Sequence, residues 1–290
     1  MLSLHTNNAA LAAQNALGRT QNSLSTSMTR LSTGFRINSA MDDAAGLQIA
    51  TRLKAQTSGM SVAMRNTQNS TSMLQTAEGA LDEVTNMLVR MKDLATQAAD
   101  TSSTTKDKAA MQGEYDNLGK EIQNIMTNTK FGGQALLKAG TVASAMTFQI
   151  GSDTSETMQL NLATEMGTAG TVFASLGSAS TYAGQTASTA TAGTELTASA
   201  NASINLLSDA IDKVSSVRSS MGATANRLDH VYNNLANISS NTKAATGRIM
   251  DVDFATESAS MTSNQMLMQA GTAMLKQSNS MSSMVMSLLQ

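Results

Sequence analysis

Residues 74–98 read LQTAEGALDEVTNMLVRMKDLATQA. Within this stretch Leu74, Ala77, Leu81, Val84, Leu88, Met91, Ala95 and Ala98 recur at alternating steps of three and four. That spacing is the a/d seam of a helix packed lengthwise on other helices. Working outward, the spacing predicts one helix from about Ala44 to Asp100, with a weaker polar stretch around Thr67 and Ser70. Thr101-Ser102-Ser103-Thr104-Thr105 reads as a turn. A second helix follows on Met111, Tyr115, Leu118, Ile122 and Ile125, and the Gly pair in Lys130-Phe131-Gly132-Gly133 is expected to end it. A third long helix begins near Asn201, where Leu207, Val214, Met221, Leu228, Leu235, Thr242 and Ile249 recur every seven residues. Ile238, Ala245 and Val252 are expected to join its face as the seam drifts.

The middle differs. Met146, Phe148 and Ile150 alternate with polar residues, as do Met158, Leu160 and Leu162, around the turn Gly151-Ser152-Asp153-Thr154-Ser155. This is a β-hairpin pattern. From about Gly167 to Ser199 the chain is Ala, Thr, Ser and Gly with few anchors, and reads as irregular surface.

Both ends are apolar, helical and nearly uncharged. Arg19 is the only formally charged side chain from Met1 to Thr29, and only Glu257 and Lys276 are charged from Ala255 to Gln290. Leu4 and Leu11, then Leu17, Leu24 and Leu31, repeat at seven-residue steps in front. Met261, Met268 and Leu275 do so at the back, beside Leu267, Met274, Met281 and Leu288. A lone surface helix normally carries a charged outer face. These stripes are expected to stay incomplete within one chain, to be satisfied by identical neighbours, and to leave the ends disordered until they are. The Met-rich back stripe reads either as plain core or as a soft interface. Breaks fall at Ile37-Asn38-Ser39-Ala40-Met41-Asp42-Asp43, with Ser39 and Asp42 as an expected N-cap, and at Asp251-Val252-Asp253-Phe254-Ala255.

Composition agrees. The 290 residues hold no Pro, Cys or Trp, but 22 Met. Average usage would give about fourteen Pro, and each costs about 3 kcal/mol inside a helix. Net charge is −2, so no basic footprint for nucleic acid is visible. No window is apolar enough for membrane insertion, and the front lacks the pattern of a cleaved signal peptide. The fold class is therefore mainly α: long heptad-patterned helices forming paired coiled-coil-like rods, with a small β-hairpin insertion. The layout is nested, with 1–43 and 254–290 as an inner terminal helical domain. Residues 44–140 and 200–253 form a long-helix rod, and 141–199 an outer insertion rich in Ser, Thr, Ala and Gly.

Leu31-Ser32-Thr33-Gly34-Phe35-Arg36-Ile37-Asn38-Ser39-Ala40 with Asp42-Asp43-Ala44-Ala45-Gly46 resembles the N-terminal motif of bacterial flagellin. Gln75-Thr76-Ala77-Glu78-Gly79-Ala80-Leu81 and Phe131-Gly132-Gly133 are similar to it as well. So are Arg248-Ile249-Met250-Asp251-Val252-Asp253-Phe254-Ala255-Thr256-Glu257, Gln269-Ala270-Gly271-Thr272-Ala273-Met274-Leu275 and Val285-Met286-Ser287-Leu288-Leu289. The resemblance covers residues 1–165 and 201–290. His5, Ser282 and Gln290 depart from that family's usual Asn, Pro and basic residue.

The resemblance implies a structural, non-enzymatic subunit that polymerises with copies of itself into the extracellular filament of the bacterial flagellum, for swimming. Its terminal helices would pack around a central export channel, and it would leave the cell without a cleaved signal peptide. Implied partners are an export chaperone and the export apparatus, filament cap and junction proteins, and the vertebrate Toll-like flagellin receptor. For that receptor the resemblance points to Arg90, Leu94 and Glu114; a solvated salt-bridging face accounts for the same residues. The polymerisation set is Leu4, Leu11, Leu17, Leu24, Leu31, Met261, Leu267, Met268, Met274, Leu275, Met281 and Leu288. A hook–filament junction protein shares such ends and is the first alternative. A secreted membrane-active helical protein is the second, but it would carry Lys or Arg beside its stripe.

No constellation supports catalysis, a cofactor or a metal. Neither His5 nor His230 begins a zinc-protease motif, and Asp42-Asp43 and Asp251/Asp253 read as helix caps and turns. Gly113 to Lys120 has the wrong spacing for a phosphate loop. Asn69, Asn201 and Asn237 match a glycosylation pattern that carries no weight without a secretory route.

Overall fold

The structure is a computed structural model describing residues 7–167, 170–183 and 193–288, with side chains in the last helix to Met281. Among the described residues, seven helices and four short strands follow one another: α1 (Asn8–Thr33), α2 (Ala44–Ala99), α3 (Thr105–Asn128), β1 (Lys130–Phe131), β2 (Gln134–Ala135), β3 (Ala145–Gln149), β4 (Thr157–Asn161), α4 (Ala163–Met166), α5 (Thr171–Ala179), α6 (Glu195–Met250) and α7 (Phe254–Leu288). A 3-10 turn, Thr141–Ala143, precedes β3. The chain divides into two compact units, residues 1–57 with 240–290 and residues 58–239.

In the second unit, α2, α3 and α6 meet along their seams. All eight residues of the quoted seam are at most 1% exposed. Leu207, Val214, Met221 and Leu228 are buried from the α6 side. Ile238, expected on that face, is instead exposed. The polar stretch of α2 does not interrupt the helix. Thr67 is buried, and its hydroxyl donates to the Ala63 carbonyl at 2.8 Å, so the side chain is satisfied within its own helix. Arg218 on α6 reaches back to α2, 2.8 Å from Asp82 and 3.7 Å from Glu78.

Helix α3 starts with a capping box. Thr104 accepts from the Asp107 N–H, and the Asp107 carboxylate accepts from the Thr104 N–H. Its buried face is not the purely apolar row the spacing suggests. Gln112 and Asp116 are buried beside Tyr115, Ile122 and Met126, while Met111, Leu118 and Ile125 are half-buried. Nor do Gly132 and Gly133 cap this helix. With φ of 58° and 85° they form the two-residue turn joining β1 to β2, a backbone that side chains rarely adopt.

The hairpin of β3 and β4 forms with Met146 opposite Leu160 and Phe148 opposite Met158, all four buried. Ile150 and Leu162 fall just outside its strands. The stretch expected to be irregular is not so throughout. Val172, Phe173 and Leu176 are the buried face of α5, and Tyr182 and Ala183 are buried after it. Few anchors suffice there, because each is buried and Phe173, Leu176 and Tyr182 are large.

A polar network fixes this outer chain to α3. The Gln112 amide nitrogen donates to Asp116 Oδ1 at 2.7 Å and to Glu195 Oε2 at 2.8 Å. Its oxygen accepts from the Leu196 N–H at 2.7 Å. Glu195 Oε1 also accepts from the Thr181 N–H and hydroxyl, and Asp116 Oδ2 from the Gly193 N–H. The Tyr115 hydroxyl donates to the Ala179 carbonyl. Burial raises the Glu195 pKa, but the hydrogen bonds from Thr181 and Gln112 outweigh it and leave the carboxyl below its ordinary value. The backbone of α6 departs from helical geometry at Ser199, so the long helix proper begins beyond it, near the expected Asn201.

In the first unit, α1 and α7 pair. Over the described residues the two ends are helical and each supplies cover for part of the other. Around them the two breaks lie side by side. Gly34, in the left-handed region at φ 77°, ends α1 with its N–H on the Arg30 carbonyl. The Arg36 N–H donates to the Met250 carbonyl at 2.6 Å, and the Val252 N–H to the Gly34 carbonyl at 3.0 Å. The Arg36 guanidinium donates to the Ile249 carbonyl at 2.8 Å. The N-cap of α2 is Asp43, which accepts from the Gly46 N–H at 2.8 Å, and not the expected Ser39. Asp42 instead closes the preceding turn, accepting from the Asn38 and Ser39 N–H groups. Asp253 begins α7 by accepting from the Ala255 and Thr256 N–H groups and the Thr256 hydroxyl.

Gln112→Ala should leave two carboxylates and the Leu196 N–H without their shared partner. A loss of about 1–3 kcal/mol is expected, read as a lower urea midpoint of helical circular dichroism. An unchanged midpoint would show that the network is dispensable.

The joint should also be acid-sensitive. The Asp42 carboxyl is held below its ordinary pKa by the Ser39 N–H and then the Asn38 N–H. The Thr256 hydroxyl, and then the backbone N–H groups, do the same for Asp253. With folded values below unfolded ones, the stabilisation is complete above about pH 4 and is lost as pH falls through the folded values. Hydrogen-exchange protection factors at Ser39 and Ala255, taken relative to the intrinsic amide rate at each pH, should fall under those acid conditions, and equal protection factors at about pH 7 and about pH 2 would refute it.

Candidate polymerisation interface

The paired end helices run antiparallel. At one end the Asn7 side-chain nitrogen donates to the Ser278 hydroxyl at 3.0 Å and to its carbonyl at 3.3 Å. Leu17 Cδ1 lies 3.4 Å from where a Cβ on Gly271 would stand, so the helices approach closely there. At the other end Arg30 and Glu257 lie 3.7 Å apart as an ion pair. Asn7 also caps α1, its Oδ1 accepting from the Ala10 N–H at 3.1 Å.

The pairing divides the apolar residues into two rows. The inner row of α1 is Ala10, Ala13, Leu17, Thr20, Leu24, Ser27 and Leu31, alternating three and four and partly or fully covered. The inner row of α7 is Met261, Asn264, Met268, Gly271, Leu275 and Ser278, spaced alike. The outer row is bare. Leu11 is 54% exposed, Leu267 59%, Met274 67% and Met281 55%, and Met28 and Met266 are similar. Seven-residue repetition located both rows in the sequence but did not separate them, because both share one period. Leu4 lies outside the described residues, as does the Leu288 side chain.

Sequence reasoning also missed apolar residues at the joint. Met41 and Phe254 are exposed there, beside half-exposed Phe35. No repeat marks these, since each stands singly in a turn or at a helix start.

Arg90 and Glu114 lie together on the second unit. The guanidinium forks onto one carboxylate oxygen, Nε at 2.9 Å and Nη2 at 2.8 Å. Both side chains are about half exposed, so the pair contributes little to stability. Leu94, one turn along α2 from Arg90, is only 3% exposed and belongs to the core. The structure therefore brings Arg90 and Glu114 together at the surface and places Leu94 beneath it.

Comparison with known proteins accords with this architecture. The family model described as the bacterial flagellin N-terminal helical region matches residues 4–141, and that described as the bacterial flagellin C-terminal helical region matches residues 204–289. A flagellin of Halalkalibacterium halodurans is 37% identical over 282 residues, covering 97% of each chain. Polar flagellin C of Vibrio parahaemolyticus is 34% identical over 385 aligned residues, covering all of both chains. A solved Vibrio parahaemolyticus chain described as flagellar hook-associated is 18% identical, with a TM-score of 0.57 over 72% of this chain and all of that one, which is a likeness of fold alone. Two helical-region matches in chain order, carried by relatives aligned end to end, place this chain in the bacterial flagellin family.

Proposed function

We propose that this chain is a structural subunit that self-polymerises into the extracellular flagellar filament used for swimming. The observation that carries the reading is the bare outer row of the end-helix pair, Leu11, Leu267, Met274 and Met281. Large apolar side chains in register on a helix pair gain roughly 1.5–3 kcal/mol each when fully covered. A repeated identical neighbour supplies that cover at every subunit. Contacts of one patch with a different patch, repeated without closure, give an open helical fibre.

In this reading residues 1–43 and 254–290 form the inner layer around a central export channel. Residues 44–140 and 200–253 form the next layer, and 141–199 faces solvent. The inner row, Leu17, Leu24, Leu31, Met261, Met268 and Leu275, holds the two ends of one subunit together. The outer row, with Leu4 and Leu288 as its proposed extensions, binds neighbours. Near-absence of charge on the ends lets passing chains slide without electrostatic capture. Export relies on a chaperone that covers the outer row and on the export apparatus. Filament cap and junction proteins meet the same ends. Among the described residues no helix is long and apolar enough to cross a membrane.

Leu267→Asp with Met274→Asp places charge on the outer row and leaves the inner row intact. Elongation from seeds should be abolished, as seen by sedimentation and electron microscopy, while circular dichroism stays helical. Fibres of normal length from this variant would overturn the proposal.

The Arg90–Glu114 pair, with Leu94 shaping the backbone beneath it, is the proposed surface for the vertebrate Toll-like flagellin receptor. Arg90→Ala and Glu114→Ala should each weaken receptor activation by roughly tenfold or more, as for a central interface residue, with filament growth unchanged. Equal dose–response curves would remove the receptor from the list of partners.

A further inference from the structure

Thioether sulfur is unevenly covered in this chain. Met91, Met126, Met166 and Met221 are at most 1% exposed within the second unit. On α7, Met274 and Met281 stand on the bare outer row with Leu267, and Met266 lies beside them at 59% exposure. Exposure governs how readily a thioether is oxidised, and the sulfoxide is polar where the thioether was apolar. An added S=O at a surface that must become dry carries an oxygen with no donor to meet it, which opposes burial.

We propose that Met266, Met274 and Met281 form an oxidation site, taking oxygen from hydroperoxides in the free subunit and thereby blocking its addition to a fibre. This rests on the assembly reading above. The sulfur lone pair attacks one peroxide oxygen, an S–O bond forms and the O–O bond breaks. Sulfur gives up two electrons, and the second peroxide oxygen leaves with the proton of the first, as water from hydrogen peroxide or as an alcohol from an organic hydroperoxide. A dithiol reductant reverses the step: the oxygen leaves as water and the two thiols become a disulfide. The site is open only before assembly, because the neighbour that completes the outer row also covers the sulfurs. Free subunits are thus sensitive and assembled ones protected. Oxidant damage is sorted at the growing end and does not weaken fibre already laid down.

The test uses the full chain and hydrogen peroxide. Treated free chain is mixed with seeds, and pelleted and soluble protein are compared by peptide mass mapping. Oxygen-carrying forms of Met266, Met274 and Met281 should be depleted from the pellet, and treatment with sulfoxide reductases of both stereochemical classes should restore elongation. Equal occupancy in pellet and supernatant would overturn the proposal. The variant Met266→Leu, Met274→Leu, Met281→Leu should elongate equally before and after peroxide, even though Met41, 97% exposed, still takes up oxygen. A variant that elongates untreated but loses elongation to peroxide as fully as wild type would also overturn it. Failure of untreated wild-type chain to extend seeds would instead sink the assembly reading, and this proposal with it.

Discussion

A two-helix pair can cover one stripe on each partner and no more. Helices α1 and α7 each carry more apolar surface than that, so pairing them leaves a remainder. Most helices resolve such a conflict with charge on the far face. Here the far face keeps its Leu and Met and surrounds them with Gln, Ser, Asn and Thr. The consequence is a unit whose internal packing is sufficient to shape it but not to bury it. Everything proposed for the ends follows from that remainder: attraction to identical neighbours, a covering partner before export, and the exposure of sulfur.

The long helices were legible because their signal is redundant. Over eight consecutive seam positions in α2, three–four spacing has no rival reading, and all eight are buried. The β3–β4 hairpin was legible from alternation, but its register, Met146 and Phe148 opposite Leu160 and Met158, comes from the structure. Where the sequence misled, the cause was local ambiguity. A Gly pair after a helix serves equally well as a cap or as a hairpin turn, and the following Gln134-Ala135 pairing decides it. Ser39, Asp42 and Asp43 are all competent caps, and only the position of Ala44 as first helical residue selects Asp43.

The candidate site was legible in kind but not in arrangement. Which residues are apolar and periodic is written in the chain. Which row turns toward the other end and which is left over depends on how two distant segments meet. Gln112 and Asp116 are the sharper case. They are polar residues at buried positions whose partners, Glu195, Gly193 and Leu196, lie roughly eighty residues away by the separations of their hydrogen bonds. No local pattern encodes such a match, because burial becomes tolerable only once every donor and acceptor is met. Leu94 illustrates the converse: it lies outside the eight-residue repeat, yet beside Ala95 it is buried in the core, one turn from exposed Arg90.

The joint at Gly34–Arg36 and Ile249–Val252 has a mechanical consequence. Two separate stretches of backbone pass through it, held to each other by paired amide–carbonyl bonds. A single connecting strand would swivel freely about its φ and ψ angles. Two strands clamped side by side cannot rotate independently, so a torque applied to the helices on one side is passed to the helices on the other instead of being dissipated as twist in a linker.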